Sequence, residues 1–408
     1  MSGSNGISDP VTEALPFATA LRRQFHQIPE LGYLEFKTAD LIRRTLVQMG
    51  ITPIVDIEGA PTATIAIIGD ASKPCVALRA DIDALPITEA TGLAYASTHP
   101  GLMHACGHDG HTANLLAAAK VLLATQDPLP VCVKLLFQPA EEGGGGANRL
   151  VQAGALDGRD HGKLGPKVDA IFGLHGWPGL PVGTVSTRPG PLLAATDTFR
   201  VVFKGIGCHG AFPHLGADPI ITAAEAVVNL QQVISRQFDP TEPGVVTVGK
   251  FHAGTATNVI PDVAIIEGTI RTLTPEVRAL ARDAVKRRCE HIAMSGLCTA
   301  EVTFFDGYPP TINDPNAAEY LAKVARDALG AASYLPAARA VMGGEDFAYY
   351  LDQVPGAFAF VGVRPAASIA YPPLHSDQYD FNDDAFPAAI TLMVELVARF
   401  ANFRPQSR

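Results

Sequence analysis

The chain has 408 residues, 47% hydrophobic and 18% charged, with a formal net charge of −10. This is long enough for roughly two or three domain-sized units with sizeable cores, and it excludes an intrinsically disordered chain. The acidic balance, without a Lys/Arg cluster interleaved with aromatics, argues against a nucleic-acid binder, and the apolar stretches are too short to span a membrane.

The N-terminal MSGSNGISDP lacks the charged-then-apolar pattern of a secretion signal. Two helices are expected between residues 11 and 49. The first carries Phe17, Leu21 and Phe25 at helical spacing, with Pro16 in its first turn, and stops near Pro29. The second runs from Thr38 to Met49 and ends at Gly50. Apolar runs at 63–68 and 75–80 read as buried strands. A helix over 111–125 follows, then buried strands over 131–138 and 168–174. Helices alternating with buried strands predict an α/β layer with a largely parallel sheet.

Near Asp197 the character changes. Residues 198–203 alternate as a half-exposed strand, and 218–236 form a helix with an Asp218 cap and Pro219 at its first position. Strands at 245–251 and 263–272, an amphipathic helix at 275–294 and a strand at 301–305 complete a β-α-β-β-α-β order. Helices resume at 317–329 and 386–400, with a strand at 357–363. The simplest organisation is a discontinuous α/β domain, 1–193 and 306–408, with an inserted α+β, ferredoxin-like domain over 194–305.

The six cysteines are scattered without CxxC spacing, which predicts reduced thiols and a cytoplasmic protein. Cys75, Cys132, Cys289 and Cys298 read as small buried hydrophobes.

Five segments gather metal-capable side chains at strand ends or in loops, where α/β sheets place their sites. In RADIDALP, Asp81 and Asp83 share one side of an extended chain, or else form a turn with solvated carboxylates. HACGHDGH packs three histidines, a cysteine and an aspartate into residues 104–111. Its spacing puts Cys106 and His108 on one side of an extended loop, and thiolate with imidazole suits a borderline-soft ion such as zinc. Asp109 and His111 either orient the ligands or start the next helix.

In QPAEEGGGG, the adjacent Glu141 and Glu142 suggest one carboxylate for metal and one for general-base work, with an acidic helix start as the alternative. No Gly-Lys-Ser/Thr follows these glycines, so they form no P-loop. His175 in GLHGWP closes an apolar strand, and His375 in LHSDQY lies in a loop. Each alone reads equally as a structural histidine, but together with the other segments they complete a ligand set. A Gly-x-Ser-x-Gly elbow is absent, which disfavours a serine hydrolase.

The stretches LRRQFHQIPELGYLEFKTA, RADIDALP, HACGHDGHTA, FQPAEEGGGGA, GLHGWP, GTATNVIPD, GGEDFAYY and LHSDQYDFND occur in this order across nearly the whole chain. They resemble the M20 metallopeptidase family, in the amidohydrolase branch that holds hippurate hydrolases, N-acyl-amino-acid deacetylases and auxin–amino acid conjugate hydrolases. The resemblance implies a dinuclear-metal catalytic domain with an inserted lid and dimerisation domain, in a homodimer or larger homo-oligomer. It implies two divalent ions per chain, zinc or manganese first, with cobalt and nickel as alternatives. Cys106 would bridge the ions, His108 and His175 would complete one site, and Glu142 and His375 the other. Glu141 would be the general base and later the acid, and Asp83 would support a ligand.

In the inserted domain, His209 would reach a partner subunit's site and steady the oxyanion. Asn258 and Arg271 would contact substrate, Arg271 through a carboxylate. A plain turn histidine and a surface ion pair are the alternatives for His209 and Arg271. The family reads Gly-Gly-His where this chain has Gly207-Cys208-His209. The implied reaction is hydrolysis of the amide of N-acyl amino acids (hippurate-like, N-acetyl or related conjugates) by a metal-activated water. A dipeptidase or aminopeptidase activity is the alternative.

Overall fold

The computed structural model describes residues 9–125, 127–158 and 162–403. The chain divides into two compact units. One comprises the described parts of Met1–Gly190, Ile312–Ala338 and Asp346–Arg408, the other Pro191–Thr311 and Arg339–Glu345.

The first unit is built on a six-stranded sheet, ordered Thr64–Ile68, Cys132–Gln138, Cys75–Asp81, Ala170–Pro181, Gly356–Arg364, Val185–Ser186 among the described residues. Its four central strands are parallel and both edge strands run antiparallel, so the sheet is mixed rather than parallel throughout. Cys75–Asp81 and Cys132–Gln138 are buried at every position, because a parallel strand covered on both faces has no solvent side to alternate with. The helix His108–Leu123 is likewise buried at nearly every position and packs against the helices Asp9–Gln27 and Phe386–Ala398. The helix Pro315–Leu329 is capped by Asp314, which accepts from the Asn316 and Ala317 amides.

Three expectations for this unit are corrected. The first helix begins at Asp9, so Pro16 lies in its interior rather than its first turn. The helix expected over 111–125 starts at His108, because Gly107 at φ 85° turns the chain directly into it. The strand expected over 168–174 continues to Pro181, since Gly356–Arg364 pairs with it along its length.

The second unit carries a four-stranded antiparallel sheet, ordered Thr299–Asp306, Ala195–Lys204, Val263–Thr272, Gly244–Ala253 among the described residues. In Ala195–Lys204 the burial alternates, with Phe199, Val201 and Phe203 inward. The helices Pro219–Leu230 and Pro275–Ser295 bury small residues against that sheet, giving the β-α-β-β-α-β order. The helix expected over 218–236 is broken at Gln231 into Pro219–Leu230 and Gln232–Gln237. Segment 339–345 joins this unit through Val341, whose amide donates to the Leu192 carbonyl. Gly205-Ile-Gly207-Cys-His-Gly210 spells the letters of a dinucleotide fingerprint, but it leads into the two-residue strand Cys208–His209 and not into a helix N-terminus. No helix among the described residues is long and apolar enough to cross a membrane.

Candidate metal centre

The parallel strands of the first unit end together, and their carboxyl ends carry the polar segments. Asp81 is the last residue of its strand and pairs in register with Gln138, the last of its neighbour. Asp83 follows the first strand, Glu141 and Glu142 follow the second, and His175 lies within Ala170–Pro181. Cys106 and His108 flank Gly107 at the start of the buried helix. His375 comes from the loop after Gly356–Arg364. Its backbone is left-handed, at φ 64°, and its amide donates to the Ala105 carbonyl at 2.8 Å, which ties this loop to Cys106.

Side-chain donors converge accordingly. Cys106, His108 and His175 bring ligand atoms within 4.8 Å of one another, and so do Cys106, Glu142 and His375. Cys106 belongs to both groups. Its Sγ lies 3.3 Å from His175 Nε2, and His375 Nε2 lies 3.1 Å from Glu142. His108, Glu141 and Glu142 form a further group at the same spacing. The imidazoles are oriented for ligation. His175 Nδ1 faces the Gly176 carbonyl at 2.8 Å and His108 Nδ1 faces Asp83 at 3.2 Å. Each leaves Nε2 for a cation, and His108 Nε2 is buried without a hydrogen-bond partner. A thiol, carboxylate and imidazole set with such an orphaned nitrogen, buried except at half-buried Glu142 and exposed His375, fits a metal ion of zinc-like chemistry.

Asp81, His108 and His111 also approach one another, but His111 has no nitrogen to spare. Its Nδ1 donates to Asp81 at 2.7 Å and its Nε2 accepts the Gly176 amide at 2.8 Å. His111 therefore holds the backbone beside His175 in place.

The electrostatics call for a cation. Burial and the neighbouring Glu142, Glu141 and Asp81 push the Cys106 thiol far up. Burial opposes a charged His108, yet Asp81, Asp83 and Glu142 outweigh it and raise its pKa to about 10. His175, buried and facing His111, is driven well down and stays neutral. Burial opposes ionisation of Glu142, but His375 and His108 hold its carboxylate below its usual range.

Asp83 bonds His108 with one oxygen and accepts the Glu142 amide at 2.9 Å with the other. Several further supports went unassigned from sequence. Ala140, at φ 53°, donates its amide to buried Glu35 at 2.9 Å. Asp346 accepts from Arg79, Gln138 and the Ala147 amide, and its own amide faces Glu141 at 3.4 Å. Arg79 also donates to Asp81 at 2.7 Å. Arg22 and His26 hold Asp109 from the first helix. Glu35, Asp346, Arg22 and His26 all lie in the quoted stretches, but the contacts just named span 83 to 267 residues of sequence or run through backbone amides, which no spacing rule reveals.

The remaining candidate residues lie in the second unit. His209 is exposed, pairs with Val259 in a two-stranded ribbon and accepts the Ala211 amide on Nδ1 at 3.0 Å. The Gly210 amide donates to the Asn258 carbonyl at 2.8 Å, so His209 and Asn258 sit on one ribbon. The Cys208 side chain packs over Gly216, and its Sγ reaches the Phe212 carbonyl at 3.5 Å. Arg271 is half-buried beside Gly344, and burial lowers its pKa against the attraction of Asp197.

The chain is similar to known proteins over most of its length. Residues 77–399 match the model of peptidase family M20/M25/M40. It is 45% identical over 346 residues to N-acetyl-L-cysteine deacetylase of Bacillus subtilis (strain 168), covering 84% of this chain and 79% of that one. It is 38% identical over 410 residues to IAA-amino acid hydrolase ILR1-like 4 of Arabidopsis thaliana, covering 97% and 90%. The solved structure of Bacillus subtilis YXEP protein, described as a dinuclear metal binding peptidase from the M20 family, superposes with a TM-score of 0.81 at 35% identity, covering 96% of this chain and 100% of that one. With its parallel-strand ends, its shared cysteine and its paired glutamates, this chain belongs to peptidase family M20/M25/M40 and is a hydrolase of amide bonds.

Proposed function

We propose that the protein hydrolyses the amide bond of N-acyl amino acids, using two divalent metal ions. Cys106 is assigned as the ligand shared by both ions, with His108 and His175 on one and Glu142 and His375 on the other. The observation that carries this reading is Glu141. It is a buried carboxylate grouped with His108 and Glu142, in excess of what the two ligand triplets need. A purely structural metal site has no use for it. The two named relatives act, by their names, on an N-acetyl amino acid and on amino acid conjugates, which supports this substrate class.

When bound, the ions supply Lewis acidity and make water more acidic. Glu141 then takes the proton of the attacking water and returns it to the leaving nitrogen. The Asp346 amide and the Glu35-braced turn at Ala140 fix the direction of that carboxylate. His209 is assigned to the oxyanion, acting from a partner subunit, and Asn258 and Arg271 to substrate contact. The half-buried guanidinium of Arg271 suits a substrate carboxylate, which it can meet with two parallel hydrogen bonds. We assign zinc or manganese to the site, a homodimer as the working assembly, and the cytoplasm as the compartment, which the six free thiols fit.

Glu141→Gln should retain metal while turnover of N-acetyl and N-benzoyl amino acids falls at least about a hundredfold. Near-normal turnover would remove Glu141 from the mechanism. Cys106→Ala should lose metal by elemental analysis, and two ions retained per chain would refute the ligand assignment. Running free dipeptides beside the N-acyl substrates separates amidohydrolase from dipeptidase activity.

A further inference from the structure

Within the first unit, a cavity of about 570 Å³ is lined by none of the residues assigned so far, but by chain neighbours of two of them. Its walls include Trp177, Arg364, Ile369, Tyr371, Pro373 and Leu374. Two of these are bound to the metal centre by the chain itself. Trp177 follows His175 by two residues on the same strand, and Leu374 immediately precedes His375.

The aromatic walls are held in place. The Trp177 ring packs on buried Phe360 at 4.2 Å between centroids and meets His175 edge-on at 6.3 Å. The Tyr371 hydroxyl donates to the Asp380 carbonyl at 2.7 Å, and its ring meets Tyr379 edge-on. Arg364, the one charged wall residue, is bonded through its guanidinium to the Ser368 carbonyl, which closes the turn at 364–368. Ile369 stands on the rim, almost wholly exposed.

We propose that this cavity receives the acyl group of the substrate, and that it selects large apolar or aromatic acyl groups over acetyl. The proposal rests on the N-acyl amino acid reading and adds to it the identity of the acyl partner. In this proposal the acyl substituent runs from a scissile carbonyl at the ligands toward these mostly apolar walls. An acetyl methyl leaves most of that volume to water. A benzoyl or hexanoyl group fills it, displaces that water and meets the Trp177 and Tyr371 rings.

The test is a kcat/KM series on the metal-loaded enzyme with N-acetyl-, N-butyryl-, N-hexanoyl- and N-benzoyl-methionine. A rise of at least about tenfold from acetyl to hexanoyl or benzoyl is expected, the scale by which an apolar pocket distinguishes added carbon. Tyr371→Ala and the rim variant Ile369→Lys should both reduce the benzoyl-to-acetyl ratio. Ile369→Lys alters an exposed side chain and puts folding at little risk.

Trp177 is the single tryptophan of the chain, so its fluorescence reports directly on the cavity. Hexanoate should shift its emission saturably, and acetate at equal concentration should not. A flat series with acetyl still cleaved, or a ratio untouched by both variants, overturns the acyl cavity while leaving the amidohydrolase reading standing. Cleavage of no member of the series overturns both.

Discussion

Asp83 touches both halves of the ligand set, through His108 Nδ1 and the Glu142 amide. Asp83→Ala should therefore weaken metal binding about 10–100-fold, the usual effect of removing a ligand's support, as read by competition with a chelator. Unchanged affinity would mean that packing alone orients these ligands. Glu35 acts one step further back. Burial raises its pKa to about 7, against the bonds from Thr62 and Ala140 that favour its ionised form. The folded state then binds the proton more tightly than the unfolded chain, whose carboxyl titrates near 4.5. Stability is fully present below that value and is lost as pH rises to about 7, by an amount on the order of 3 kcal/mol. Urea denaturation from pH 4.5 to 8 should show wild type losing stability relative to Glu35→Gln over this window. Parallel curves would place Glu35 outside the linkage. Asp83 was legible from its strand-end position, whereas Glu35 was not, because it reaches Ala140 across 105 residues of sequence.

The helix His108–Leu123 shows how an element places chemistry. Its N-terminal glycines are dictated by neighbours. A Cβ at Gly107 would lie 2.9 Å from the Tyr379 hydroxyl, and one at Gly110 would lie 2.3 Å from the Phe381 ring. Phe381 also meets His111 edge-on at 6.0 Å, so this packing is continuous with the metal centre. Gly110→Ala should destabilise the protein by about 1–3 kcal/mol through overpacking, and Phe381→Leu in the same chain should recover part of the loss. Chemical denaturation of both variants checks this, and additive effects would exclude a direct contact. The elements themselves were legible wherever the apolar period was unbroken, as in Cys75–Asp81 and Cys132–Gln138. They were missed where local and tertiary preferences conflict. Pro16 argues for a helix start, but burial of Val11 and Ala14 extends the helix back to Asp9.

For the molecule, the metal centre is a concentration of buried negative charge. Asp81, Asp83 and Glu141 are buried beside Glu142, with Arg79 set against Asp81 and His108 against Asp83. Ligand binding to the folded state alone stabilises it by about 4 kcal/mol at a thousandfold excess over Kd. Chelation should therefore lower the melting temperature by several degrees, and added zinc or manganese should restore it, as calorimetry would show. A melting temperature indifferent to chelator and metal would argue against ions held by these buried groups.

By itself, the sequence determined the α/β class, the change of character near Asp197 and the five segments that bear chemistry, because periodicity and dense local motifs are short-range properties. Residue by residue, it left His175 and His375 open between ligands and structural histidines. What the tertiary structure decided is which of these side chains meet. The parallel strands end at one place, where both His111 nitrogens are taken up by Asp81 and the Gly176 amide, while His175 Nε2 faces the Cys106 thiol and His108 Nε2 is left without a hydrogen-bond partner.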